Sequence, residues 1–207
     1  MNSRDESLFG SSERKTLVVR VLITGVPKVG KTAIADKISH LIPGVTAFEF
    51  GRAMASIGVR RGIIRGYEDL VAIPQGERAD LQAAVAARIA KIDSPLAIAA
   101  HLVVRTPEGY VDGLPPGGIE LLQPTGIIVV TSDPRQIYLR YSSAEGQQNS
   151  WNVQDISFHQ DAVRKHTAEL SSQLRLPIGE VVNLEGELDQ AAETAVLLWR
   201  RFEAINS

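Results

Sequence analysis

The run TLVVRVLIT over Thr16–Thr24 is apolar and β-branched, the pattern of a strand buried on both faces of a parallel sheet, and it stops at Gly25. Lys31 to Leu41 reads as a helix halted near Pro43-Gly44, and Val45–Phe50 as a second short strand. Strand, glycine-bearing turn, helix and strand make a βαβ unit. Farther on, Leu81, Val85, Ile89 and Ile92 recur at helical spacing after Pro74 and Gly76, and Pro95–Ala100 and Gly126–Thr131 read as two more strands. Asp133-Pro134 places a capping acid before a proline at the first helical position, so a helix starts there. Ile156, Val163, Leu170 and Leu174 mark a long helix and Gly179–Leu184 a last strand; Leu188, Ala192, Ala195, Trp199 and Phe202 line one face of a final amphipathic helix. Five strands alternating with helices predict an α/β fold, a three-layer α/β/α sandwich around a five-stranded parallel sheet.

Composition narrows what such a fold is used for. The chain has 207 residues, with 22 Lys and Arg against 24 Asp and Glu, and no cysteine. That length predicts one domain, read as residues 16–207 behind a disordered tail over 1–15 that is rich in Asn, Ser, Asp and Glu. Zero cysteine excludes disulfides, thiolate metal sites and a cysteine nucleophile. The near-neutral balance, without a Lys/Arg block, argues against a nucleic-acid partner held by bulk charge. No run of about 18 apolar residues predicts a membrane span, and the expected location is cytoplasmic. Any polyanion must therefore be held locally.

The local holder is visible. Gly25-Val26-Pro27-Lys28-Val29-Gly30-Lys31-Thr32 fits G-x-x-x-x-G-K-[ST] without mismatch, between a predicted strand and a predicted helix. In such a loop backbone N–H groups at the helix N-terminus face the β-phosphate, Lys31 bridges β- and γ-phosphates, and the Thr32 hydroxyl meets Mg²⁺. The partner implied is a nucleoside triphosphate. A GTPase is excluded because no D-x-x-G and no N-K-x-D segment follows the loop.

The order of motifs resembles the archaeal-type adenylate kinases, within the nucleoside monophosphate kinase group. The residues carrying the resemblance are ITGVPKVGKT (Ile23–Thr32), the Phe50-Gly51-Arg52-Ala53-Met54 turn, and His101 followed by RTPEGYVDGLP (Arg105–Pro115). VVTSDPRQI (Val129–Ile137) and His159-Gln160 with Arg164 complete them. The resemblance implies transfer of the γ-phosphoryl group of ATP·Mg²⁺ to AMP, with an acceptor-side flap at about residues 51–76 and an ATP-covering flap at about 144–153. It also implies roles for Arg140 near adenine or phosphate, for Arg164 behind the ATP flap, and for His101 at a substrate phosphate.

Several positions depart from the pattern. An acid that orients hydrated Mg²⁺ is expected where Ala99 stands, with Ala100 next, and flap arginines are expected where Ala144–Trp151 offers Gln147 and Asn149. Acceptor-side arginines are expected at Gly66 and Leu70, with Arg60, Arg61 and Arg65 just upstream as substitutes. Glu49 is a second acid whose facing strand alternation leaves open. His159 and His166 share a helix face with Leu170 and read as packing residues, Trp151 as a flap anchor, and Lys28 as either solvent-facing or an added charge at the γ-phosphate. Three functions remain: a nucleoside monophosphate kinase-like phosphotransferase, a nucleotide-binding sensor or scaffold, and a slow ATPase acting with a protein partner.

Overall fold

The computed structural model describes residues 18–106, 109–142 and 151–206. The tail at 1–15 and most of the 144–153 stretch, including Gln147 and Asn149, lie outside the described residues. Strand β1 (Arg20–Thr24), helix α1 (Lys31–Leu41), β2 (Thr46–Glu49), α2 (Phe50–Arg60) and α3 (Gln75–Ile89) form the first half. They lead to β3 (Leu96–Ala99), the β4–β5 hairpin (Val103–Thr106 and Gly109–Asp112) and α4 (Gly118–Leu122). The second half runs through β6 (Gly126–Thr131), α5 (Pro134–Ser142), α6 (Val153–Leu174), β7 (Ile178–Val182) and α7 (Leu188–Ile205).

The five strands expected from the apolar runs form one parallel sheet in the order β2-β3-β1-β6-β7, and the hairpin stands apart as a two-stranded sheet. All five residues of β1 are buried, Arg20 among them at 5% exposure. That arginine is tolerated because its guanidinium donates to the carbonyls of Leu122 and Ile92 at 3.2 and 2.8 Å. Helices cover both faces. On one, α1 contributes Ile34 and Ile38 and α7 contributes Trp199 and Phe202, against Val21, Ile23, Ala97 and Ile128. On the other, Met54, Ile57, Leu81, Val85 and Ile89 pack against Leu22, Leu96, Ile98 and Ile127. Helix α7 lies close because β6 offers Gly126, where a Cβ would stand 2.3 Å from the Phe202 ring.

One local expectation fails. Phe50 ends no strand, and Phe50–Met54 is no turn: β2 stops at Glu49 and the stretch is the first part of α2. Phe50, Met54 and Ile57 repeat at i, i+4, i+7 and bury one stripe, which outweighs the two interior glycines. Gly58 lets Ile64 pack close to the helix, since a Cβ there would stand 2.8 Å from the Ile64 side chain.

Candidate functional site

The phosphate loop is strung between buried anchors. Gly25 leaves β1 at φ 152°, and a Cβ there would stand 2.4 Å from the Val130 carbonyl oxygen, so the chain exits against the neighbouring strand. Val26 and Val29 are 1% and 0% exposed and hold the loop to the core, whereas Lys28 between them is exposed in the left-handed region at φ 62°. Gly30, at φ 103°, precedes α1, and its missing Cβ leaves room for Asn183, whose Nδ2 donates to the Val29 carbonyl at 2.8 Å. Helix α1 then begins at Lys31 with no side-chain cap and no acid in its first turn. Its leading N–H groups and positive dipole end are thus left for an anion.

Lys31 is 8% exposed and donates from Nζ to the Val26 carbonyl at 2.9 Å. Burial lowers its pKa from 10.5 to about 7, opposed by the charge of Glu49. A lysine in that state is poised to take up a proton when phosphate oxygens arrive.

Beside the loop, a cleft of about 300 Å³ is lined by Thr32, Asp36, Ala47, Glu49, Arg52 and Ala99, with Phe48 and Ala35 completing it. Glu49 sits at the carboxyl end of β2, in register with Ala99 of β3, which in turn pairs with Ile23 of β1. Its carboxylate meets the exposed Arg52 at 3.2 Å. A hydroxyl and carboxylates are the hard oxygen donors that magnesium takes alongside nucleotide phosphates, so this cleft fits a magnesium–nucleotide. Among the described residues, no group of three or more His, Asp or Glu is gathered to hold a metal by itself.

The remaining sequence candidates fall into different places. Arg140 lies against the loop: Nη1 donates to the carbonyls of Lys28 and Val29 at 3.4 and 3.5 Å, Nη2 to that of Asn183 at 3.3 Å, and Glu185 pairs with it at 3.1 Å. His101 follows β3 and stands near both Lys31 and Gly25; burial first, then the charges of Lys31 and His159, hold its ring well below the ordinary histidine range, so it is neutral. Arg164 is held by Glu180 at 2.8 Å and Asp161 at 3.3 Å, on β7 and α6, and is not brought to the loop in this arrangement. Gln160, one turn before it, clamps the end of β6 by pairing with both N–H and C=O of Ser132 at 3.1 and 3.0 Å. Arg60, Arg61 and Arg65 are all exposed.

Of the TP-x-GY motif, Thr106 ends β4 and Gly109 and Tyr110 open β5, and this hairpin docks through an aromatic column. Tyr110 stacks on His159 at 5.2 Å, His159 meets Trp151 at 5.3 Å, and Trp151 stacks on Tyr141 at 5.8 Å, with the Arg105 guanidinium 4.7 Å over the indole. Trp151 therefore anchors the segment that enters α6. His159 is a packing residue at 1% exposure, its Nε2 3.2 Å from the Val103 carbonyl, and burial lowers its pKa to about 4. His166 is half-buried, 3.8 Å from Asp112. Gly113 lies against the His101 carbonyl with space for no side chain. Asn183 escaped the sequence reading because it belongs to no motif, and Ser132, though it lies inside VVTSDPRQI, was assigned no role there; the local signal for both is their position at the carboxyl ends of apolar strands.

A parallel sheet with a glycine loop closing on a buried lysine, an uncapped helix behind it and an oxygen-lined cleft beside it defines a P-loop nucleotide-binding protein of the kinase type. The AAA domain family model matches residues 24–156. Among curated relatives, an adenylate kinase of Saccharolobus islandicus is 30% identical over 84% of this chain and 96% of its own. One of Methanopyrus kandleri is 26% identical over 85% and 95%, and one of Saccharolobus solfataricus 29% over 84% and 96%. The chain belongs to the AAA domain family and, within it, is a divergent member of the archaeal-type adenylate kinase family. Solved structures share the fold. A gluconokinase from Sinorhizobium meliloti superposes with TM-score 0.55 at 14% identity, covering 90% of this chain and 94% of its own. A shikimate kinase from Bacteroides thetaiotaomicron gives 0.54 at 13%, covering 88% and 98%.

Proposed function

We propose that this protein transfers the γ-phosphoryl group of ATP to a nucleoside monophosphate, with AMP as the first acceptor to try. The observation that carries the reading is the phosphate loop itself: a buried Lys31 of lowered pKa at the mouth of an uncapped helix, inside a family whose curated relatives are named adenylate kinases. In the reaction, the bond from the γ-phosphorus to the β–γ bridging oxygen breaks as a bond to an acceptor phosphate oxygen forms. ADP leaves, and the acceptor becomes a diphosphate. Lys31 and the α1 N-terminus bind the charge that develops, Arg140 holds the loop backbone in place, and neutral His101 is a hydrogen-bonding group beside Lys31. The Thr32 hydroxyl would hold magnesium together with the nucleotide phosphates, and the ion would supply charge neutralisation at the transferring group. The 51–76 stretch, comprising α2 and the turns before α3, faces the acceptor in this reading.

A coupled assay with ATP and a panel of nucleoside monophosphates tests the proposal. ADP formed only with an acceptor, and lost in Lys31→Ala, supports it. No ADP above background with any acceptor rejects it in favour of a nucleotide-binding sensor, and ADP formed without an acceptor rejects it in favour of an ATPase.

A further inference from the structure

We infer that Glu49 supplies the carboxylate that faces the magnesium of the bound nucleotide, replacing from the neighbouring strand the acid that β3 lacks. The inference deepens the reading above and rests on it. Phosphate-loop proteins commonly pair the loop hydroxyl with a carboxylate at a strand end. Here β3 ends in Ala99, with Ala100 behind it, and neither side chain carries an oxygen. The next strand outward carries one at the same level, because β2 and β3 are parallel and Glu49 is the register partner of Ala99.

Side-chain facing agrees. Register partners in a parallel sheet project to the same face. Ala47, two residues before Glu49, packs with the cluster formed by Ile34, Ile38, Ala97 and Ala99, whereas Phe48 packs with the opposite cluster. Glu49 thus shares the α1 side of the sheet, where Thr32 opens the same helix. Ala47 and Ala99 present only methyl groups on that side, and the cleft they line has Thr32 and Glu49 on its lining together. The Glu49 carboxylate is 23% exposed. Asp36, the other carboxylate of the cleft, lies a turn farther down α1 and is exposed. Arg52, the ion-pair partner of Glu49, is 79% exposed, so the pair is a weak competitor for the carboxylate.

The test measures metal rather than turnover. Mn²⁺ binding to the protein saturated with a non-hydrolysable ATP analogue is followed by electron paramagnetic resonance for wild type, Glu49→Gln, Asp36→Asn and the double variant Glu49→Gln/Ala99→Asp. Metal-free affinity for the same analogue is measured in chelator. The expected result is Mn²⁺ affinity lower by about 10–100-fold in Glu49→Gln alone, recovered at least partly when an acid is returned at position 99. Metal-free affinity stays the same or rises, since the carboxylate opposes the phosphates, and this also reports an intact fold. Unchanged Mn²⁺ affinity in Glu49→Gln overturns the inference, and so does equal loss in Asp36→Asn. Abolished transfer with Mn²⁺ affinity intact overturns it too, by assigning Glu49 to the acceptor. A wild-type chain that binds no ATP analogue at all defeats the phosphotransferase reading itself, a distinct result.

Discussion

The buried state of Lys31 makes nucleotide affinity depend on pH in a direction the structure fixes. Without nucleotide the ammonium is desolvated, and its pKa falls from 10.5 to about 7. Phosphate oxygens replace the Val26 carbonyl with full negative charge and return the pKa toward its ordinary value. Binding above pH 7 therefore takes up close to one proton. At about pH 7 half the free protein carries that proton and at about pH 9 roughly one molecule in a hundred, so affinity falls by roughly 50-fold, or about 2 kcal/mol, over the interval. The sign for folding is linked: in the nucleotide-free protein the cost of burying the charge is fully present below about pH 7 and is relieved as pH rises toward 10.5. The assay is calorimetric titration with a magnesium–ATP analogue from pH 6 to 9, in two buffers of different ionisation enthalpy, for wild type and Lys31→Arg. Arginine stays charged throughout, so the ratio of the two affinities removes titration of the nucleotide. Parallel profiles for the two proteins, with no proton uptake by wild type at pH 8, would refute the reasoning.

Three further outcomes follow from the same geometry. Gly30→Ala places a methyl group against the Asn183 amide and strains a φ of 103°, costing about 1–3 kcal/mol; adding Asn183→Ala relieves the clash, and a double-mutant cycle in urea should show coupling beyond about 0.5 kcal/mol. His159 titrates at about 4 when folded and at 6.5 in the ordinary state, so its contribution to stability is lost as pH falls from 6.5 through 4. His159→Phe should accordingly flatten the dependence of Tm on pH in that window, and an unchanged slope would contradict the assignment. Trp199→Ala, at a site 1% exposed between the sheet and α1, should cost about 3–5 kcal/mol in chemical denaturation without altering ATP affinity per folded molecule.

Much of this architecture is written locally in the chain. The run ending at Thr24, the loop from Gly25 to Thr32 and the helix Lys31–Leu41 are each specified by residues within one or two turns of each other; the loop and the helix stand where the pattern puts them, and the strand occupies Arg20–Thr24 of the expected Thr16–Thr24, with Thr16 and Leu17 outside the described residues. Asp133 likewise caps α5, its Oδ1 accepting from the Arg135 N–H at 2.7 Å. What was not legible depends on partners distant in the chain. Strand order cannot be read from apolar runs, and it is strand order that brings Glu49 beside Ala99. Arg20 looks like a flaw in an apolar strand until the carbonyls of Ile92 and Leu122 are seen to receive it. Asn183 belongs to no motif, yet it braces the phosphate loop from 154 residues away. Gln160 and Arg164 share a helix face as spacing predicts, but one is taken by Ser132 and the other by Glu180, which spacing alone does not reveal.

The central claim is that a phosphoryl group leaves ATP at this loop and arrives on a nucleoside monophosphate. Incubation with ATP labelled in the γ-phosphate, with and without AMP, followed by separation of products, addresses it most directly. The account predicts label in the diphosphate formed from AMP, little inorganic phosphate, and loss of transfer in Lys31→Ala. Label released only as inorganic phosphate, or no turnover by a wild-type protein that binds ATP, would contradict it.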